Sequence, residues 1–238
     1  MTGLQVKIAA LLLMFVDHIG ALFMVPGSGI WLLARGLGRL SFPLYAYLAS
    51  QGIRHTHDAG AYCGRLLGFA FLSEFLFDMA FFGHAPAFAH QNVFFTLAFS
   101  VAAFLPWKER AKPERRGQKR ELKIATFFLV LCMGTAAQSI HADYGILGVL
   151  LIDTMVFADG NLAAMMLCVW CFLSLKTGWL VPDLLQRIAV SASIALLWAW
   201  IVGMDNGRLG NKKWRKWFYM AYPVHLAALW YLRVFLGI

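Results

Sequence analysis

Charge is scarce in this chain, and acidic charge scarcest. Asp, Glu, Lys and Arg make up 14% of its 238 residues, where an ordinary soluble domain carries about 25%. Twelve acidic residues stand against 21 Lys and Arg, and hydrophobic residues reach 61%. That balance exceeds what a soluble core of this size needs and points to helices that face lipid. Cysteine is sparse too. Of four, the close pair Cys168 and Cys171 sits among Met165, Leu167, Val169, Trp170 and Phe172, a run that reads as a membrane helix. Neither a redox motif nor a disulfide framework is expected from it, and no metal-ligand set is expected. The pattern holds no low-complexity tail, internal repeat or second domain. No cleavable signal peptide is expected: the run Leu4 to Met24 is too long for a signal core, and Asp17 and His18 interrupt it.

What the chain does hold is a series of apolar runs near 4–24, 28–53, 63–83, 91–107, 122–139, 143–158, 161–176, 187–204 and 214–236. With about 20 apolar residues needed per crossing, these predict an all-α, polytopic transmembrane helix bundle of about nine spans, a single domain over 1–238. The second run contains Arg35, Arg39 and Pro43. As one helix it would be about 39 Å long, enough for a tilted or kinked crossing. The sixth and seventh are short, and one of them could be re-entrant.

The net charge of +9 is concentrated. Lys108 to Lys123 holds eight Lys or Arg and three Glu, and a second cluster runs through Arg208, Lys212, Lys213, Arg215 and Lys216. Clusters between long apolar runs read as cytoplasmic loops rather than as a nucleic-acid surface. Counting spans from 108–121 places the N-terminus inside, 54–62 and 205–213 inside, and 84–90 and 140–142 outside. The nine Trp suit interfacial belts.

Ionisable residues within the runs are the informative ones, because each costs about 2.5–3.5 kcal/mol at the bilayer centre unless it faces a cavity or a partner. They are Asp17 and His18 in the first run, Arg35 and Arg39 in the second, and Glu74 and Asp78 in the third. Asp143, Tyr144 and Asp153 lie in the sixth, and Tyr222 and His225 in the ninth. Helical rise places Asp17, His18 and Arg35 about 20 Å from the cytoplasmic side, Arg39 about 14 Å, Glu74 and Asp78 about 16 and 22 Å, and Tyr222 and His225 about 12–16 Å. They share one band of the membrane. One reading is a set of ion pairs locking the bundle, Arg35 with Asp78 and Arg39 with Glu74. The other is a functional centre in which His18 serves as a base near neutral pH. Adjacent helical residues point about 100° apart, so Asp17 need not be the partner of His18. Gln91, Asn92, Asp143 and Tyr144 begin spans on the outer side, either as caps and interface anchors or as an acceptor vestibule.

Several pieces together resemble the TraX family, named for the pilin-acetylation protein of conjugative plasmids. They are Lys7-Ile8-Ala9 leading to Asp17-His18-Ile19-Gly20, then Arg35 and Gly38-Arg39-Leu40-Ser41-Phe42-Pro43, and Gln51-Gly52-Ile53-Arg54-His55-Thr56. Ser73-Glu74 with Asp78, Gln91-Asn92-Val93-Phe94-Phe95-Thr96, Asp143-Tyr144-Gly145, and Phe218-Tyr219 to Tyr222-Pro223-Val224-His225-Leu226 follow in order. The loop 108–121 and the segment 159–213 match poorly. The resemblance implies acetyl transfer from cytoplasmic acetyl-CoA to an amine or hydroxyl of a membrane or extracytoplasmic acceptor (protein, peptide or glycan), in the bacterial cytoplasmic membrane. His18 then matches the catalytic-type histidine, and Arg35 and Arg39 the arginine pair. Asp17, Glu74 and Asp78 would complete the catalytic group. Arg39, Arg54, His55, His57 and Arg65 would hold the nucleotide end of acetyl-CoA. Gln91, Asn92, Asp143, Tyr144, Tyr222 and His225 would meet the acceptor. Direct transfer and an acetyl-His18 intermediate both remain open. So do two rival classes, a secondary transporter with a buried Asp/Glu/His proton relay and a structural assembly protein.

Overall fold

The computed structural model describes residues 1–110, 119–208 and 212–237. Most of the basic stretch 108–121 and residues 209–211 of the second basic cluster lie outside the described residues. The fold is all-helical, with no strand among the described residues. In order the helices are α1 (Gly3–Phe23), α2 (Gly29–Gly38), α3 (Ser41–His55), α4 (Ala59–Phe81), α5 (Val93–Ala103) and α6 (Leu105–Arg110). They continue as α7 (Lys119–Ser139), α8 (Gly145–Phe157), α9 (Leu162–Lys176), α10 (Leu184–Gly203) and α11 (Lys212–Leu236). Each apolar run is helical, and the second and fourth are each broken in two. Among the described residues, α1 and α10 are the helices long and apolar enough to cross a membrane by length and composition.

The break in the second run falls at Arg39 and Leu40, and Pro43 accounts for it. A continuous helix would leave the Arg39 carbonyl facing a ring with no N–H. Ending α2 there and restarting at Ser41 puts Pro43 in a first turn, where a missing N–H is tolerated. Arg39 becomes the C-cap of α2, its N–H bonding the Arg35 carbonyl at 3.2 Å. The start of α3 is tied to α1 by Ser41, whose hydroxyl donates to the Ala10 carbonyl at 2.9 Å.

The chain falls into two compact units, Met1–Leu48 with Phe157–Ile238, and Ala49–Val156. In the first, α1 opens on a reciprocal cap: the Thr2 N–H donates to Gln5 Oε1 at 2.7 Å, and the Gln5 N–H returns to the Thr2 hydroxyl. Its buried residues Val6, Ala10, Met14, Asp17 and Gly20 form one helical stripe, while Leu12 on the opposite face is 60% exposed. Asn161 caps α9 and Asp183 caps α10, through the Ala164 and Gln186 N–H groups at 3.1 and 2.8 Å. Ser174 and Ser191 then join the two helices at 2.7 Å.

In the second unit, Asp58 caps α4 through the Ala61 N–H at 2.7 Å. Asn92 caps α5 through the Phe94 N–H at 3.0 Å.

Candidate functional site

In the first unit the polar residues of α1, α2 and α11 meet. Asp17 and His18 are adjacent on α1 and turn to different neighbours, as the 100° step of a helix requires. Asp17, 8% exposed, faces α2. Both of its carboxylate oxygens lie 2.7 Å from Arg39 Nη2, and Arg35 Nη1 reaches Oδ2 at 2.9 Å. Arg35 Nη1 also donates to the Asp17 carbonyl at 3.1 Å, and Arg39 Nε to the Arg35 carbonyl at 3.3 Å. Glycine permits this approach: a Cβ on Gly38 would come within 2.3 Å of Asp17 Cβ and Oδ1, and one on Gly20 within 2.9 Å of Ala34 Cβ. Trp179 packs near both cations, its ring centroid 5.0 Å from Arg35 Cζ and 5.4 Å from Arg39 Cζ.

His18 turns the other way, to α11. Its Nδ1 lies 2.8 Å from Nε2 of His225, with ring centroids 5.0 Å apart and planes inclined by 24°. His225 is 1% exposed and held between Phe15, at 4.9 Å, and the Tyr222 ring, at 5.1 Å. Its Nδ1 donates to the Ala221 carbonyl at 3.3 Å. Because Asp17 and His18 are consecutive, the arginine pair and the imidazole pair lie on adjoining faces of α1. Two arginines against one aspartate leave one net positive charge beside an imidazole pair, an environment suited to a group that becomes anionic.

The expectation that Arg35 pairs with Asp78 and Arg39 with Glu74 is corrected: the acid both arginines meet is Asp17. Glu74 and Asp78 belong to the second unit, where they bond backbone and amide groups. Glu74 Oε2 accepts from the Asn92 N–H at 3.1 Å and from the Asn92 side-chain amide. Asp78 Oδ2 accepts from the Ala87 N–H at 2.7 Å. Glu74 Oε1 and Asp78 Oδ1 are buried without a hydrogen bond.

The two outer stretches come together in the second unit. Gln91 and Ala142 form an isolated parallel bridge, with Gln91 N–H to the His141 carbonyl at 3.0 Å and Asp143 N–H to the Gln91 carbonyl at 2.8 Å. The Thr96 hydroxyl donates to the Asp143 carbonyl, and Tyr144 adopts a left-handed backbone, φ 66°. Asn92 is fully buried and also donates to the Ala70 carbonyl at 2.7 Å. Arg54 and His55 end α3, where His55 Nε2 lies 3.2 Å from Gln51 Oε1. Arg65 is exposed on α4, 5.9 Å from the Tyr62 ring. His57 is exposed between the two helices.

Sequence reasoning missed Trp179, which read only as one of nine interfacial tryptophans, and Phe15, which it did not single out. It named Gly38 only as part of a motif, without its reason.

Residues 2–233 match the family described as TraX protein. The chain belongs to the TraX family. Among its relatives is a protein of Dichelobacter nodosus named probable fimbrial assembly protein FimC, serogroup H1, 28% identical over 99% of this chain and 97% of that protein. A Protein TraX of Escherichia coli strain K12 is 28% identical over 94% of this chain and 84% of that protein. Another Escherichia coli Protein TraX is 30% identical over 62% of this chain and 52% of its own length. No solved structure matches the chain.

Proposed function

We propose that this TraX-family chain is a membrane acyltransferase that moves the acetyl group of cytoplasmic acetyl-CoA to an amine or hydroxyl on a membrane or extracytoplasmic acceptor. The observation that carries the reading is His18 on α1, in contact with a second histidine and next in sequence to an aspartate ion-paired with two arginines.

His18 takes the proton from the acceptor N–H or O–H as that nitrogen or oxygen bonds to the thioester carbonyl carbon. The C–S bond breaks, and CoA leaves as a thiolate that collects a proton. General-base help of this kind contributes about 10²–10⁴-fold. Arg35 and Arg39 supply the positive charge for the developing oxyanion, already oriented by Asp17. Arg54, His55 and Arg65 are the residues we assign to the phosphates of the donor. Gln91, Asp143 and Tyr144 are the residues we assign to the acceptor. The fimbrial name of one relative favours a surface-filament component as that acceptor.

The membrane setting belongs to the same proposal: a multi-pass bundle of about nine spans in the cytoplasmic membrane, N-terminus inside. Large apolar side chains exposed on several helices support it, among them Phe71 at 70%, Leu185 at 77% and Phe235 at 75%. The test is direct. Purified protein in lipid nanodiscs is expected to bind CoA saturably and to hydrolyse acetyl-CoA slowly without an acceptor. Mass spectrometry of surface fractions with and without the gene is expected to show an acetylated product. Protein that neither binds CoA nor turns over the thioester contradicts the proposal.

A further inference from the structure

We infer that His225 is a positioning residue that fixes the tautomer of His18, through a directed hydrogen-bond chain from His18 to the backbone of α11.

The chain is read from its far end. The Ala221 carbonyl can only accept, so His225 Nδ1, 3.3 Å away, carries a hydrogen. In a neutral ring the other nitrogen, Nε2, then holds a lone pair. That lone pair lies 2.8 Å from His18 Nδ1, so His18 Nδ1 is the donor and carries its ring's hydrogen. The lone pair of neutral His18 is thereby placed on Nε2. The opposite polarity would need an imidazolium at His225, a charge buried at 1% exposure between Phe15 and Tyr222. Its described contacts include no carboxylate, and burying such a charge is costly.

The arrangement does what a base needs. When Nε2 of His18 accepts a proton, Nδ1–H stays where it is, and its bond to His225 becomes charge-assisted and stronger. No other group has to move or ionise. This is the part a third residue plays in nucleophile–base–orienter sites, holding the base in the working tautomer, with a neutral imidazole in that place. The ring geometry supports the assignment: the two imidazole planes differ by 24° with centroids 5.0 Å apart, so the 2.8 Å N–N contact runs edge to edge. The role in proton removal rests on the acyltransferase reading, whereas the tautomer does not.

Nitrogen NMR of full-length protein with ¹⁵N-labelled histidine rings, in nanodiscs near neutral pH, tests it. His18→Gln and His225→Gln spectra assign the two rings among the seven histidines. Both rings are expected mainly in the Nδ1–H form. In His225→Phe, which keeps an aromatic ring but removes the acceptor, His18 is expected to move mainly to the Nε2–H form usual in water. In His225→Gln, whose amide oxygen can accept, the Nδ1–H form of His18 is expected to be retained at least in part. A parent His18 already in the Nε2–H form overturns the inference whether or not the variants fold, as does a His18 tautomer indifferent to His225→Phe. The expected tautomers in a protein that never turns over acetyl-CoA would uphold the positioning and sink only the acyltransferase reading.

Discussion

Gly38 stands against Asp17 with no room for a side chain between them: a Cβ at position 38 would lie 2.3 Å from both Asp17 Cβ and Oδ1. Two arginines pin that carboxylate, so it cannot swing aside as the end of a loose side chain would. Gly38→Ala is therefore expected to displace Asp17 and cost about 1–3 kcal/mol as an overpacking change. Gly36, which meets nothing within 4 Å, is the control. Thermal unfolding in detergent of Gly38→Ala beside Gly36→Ala checks this, and equal stability of the two would contradict it.

Asp17 is expected to be the lock that Glu74 and Asp78 are not. Asp17→Leu leaves two guanidiniums without their carboxylate, and breaking a buried pair costs about 3–5 kcal/mol. Glu74→Gln keeps an oxygen for the Asn92 N–H and is expected to cost nearer the 1 kcal/mol of an ordinary hydrogen bond. The amounts of folded protein recovered from membranes rank the two. A Glu74→Gln protein lost as completely as Asp17→Leu contradicts the assignment.

Neighbours were not legible in the sequence. The rise per residue puts Asp17, Arg35, Asp78 and His225 in one band, but the azimuth of a helix and the identity of the next helix do not follow from hydropathy. Depth alone pairs the arginines with Asp78 and Glu74, whereas the short α1–α2 connection brings them to Asp17. The apolar runs gave the helices to within a few residues. Pro43 warned of a break without locating it, because only the restart at Ser41 shows that the proline takes a first-turn position. Trp179 lies outside the regular helices, between α9 and α10, so no periodicity pointed to it.

The orientation predicts which residues an impermeant reagent reaches. In a cysteine-free background, His84→Cys is expected to label in intact cells and Asn206→Cys only after the membrane is opened. Both positions are exposed. The reverse pattern would invert the topology and move the donor side to the other face.

Arg54→Ala and Arg65→Ala are expected to raise KM for acetyl-CoA with little change in kcat, because contacts to donor phosphates hold in ground and transition states alike. Initial rates over a range of acetyl-CoA concentrations separate the two constants. An unchanged KM in both variants removes these residues from the donor site.

The most direct measurement is acetyl transfer by His18→Gln in protein shown to be folded and to bind CoA. Gln preserves a hydrogen-bonding side chain but cannot take the acceptor proton, so the account predicts a fall of about 10²-fold or more in kcat with CoA affinity unchanged. Full turnover by a folded, CoA-binding His18→Gln protein would contradict the claim that His18 is the base.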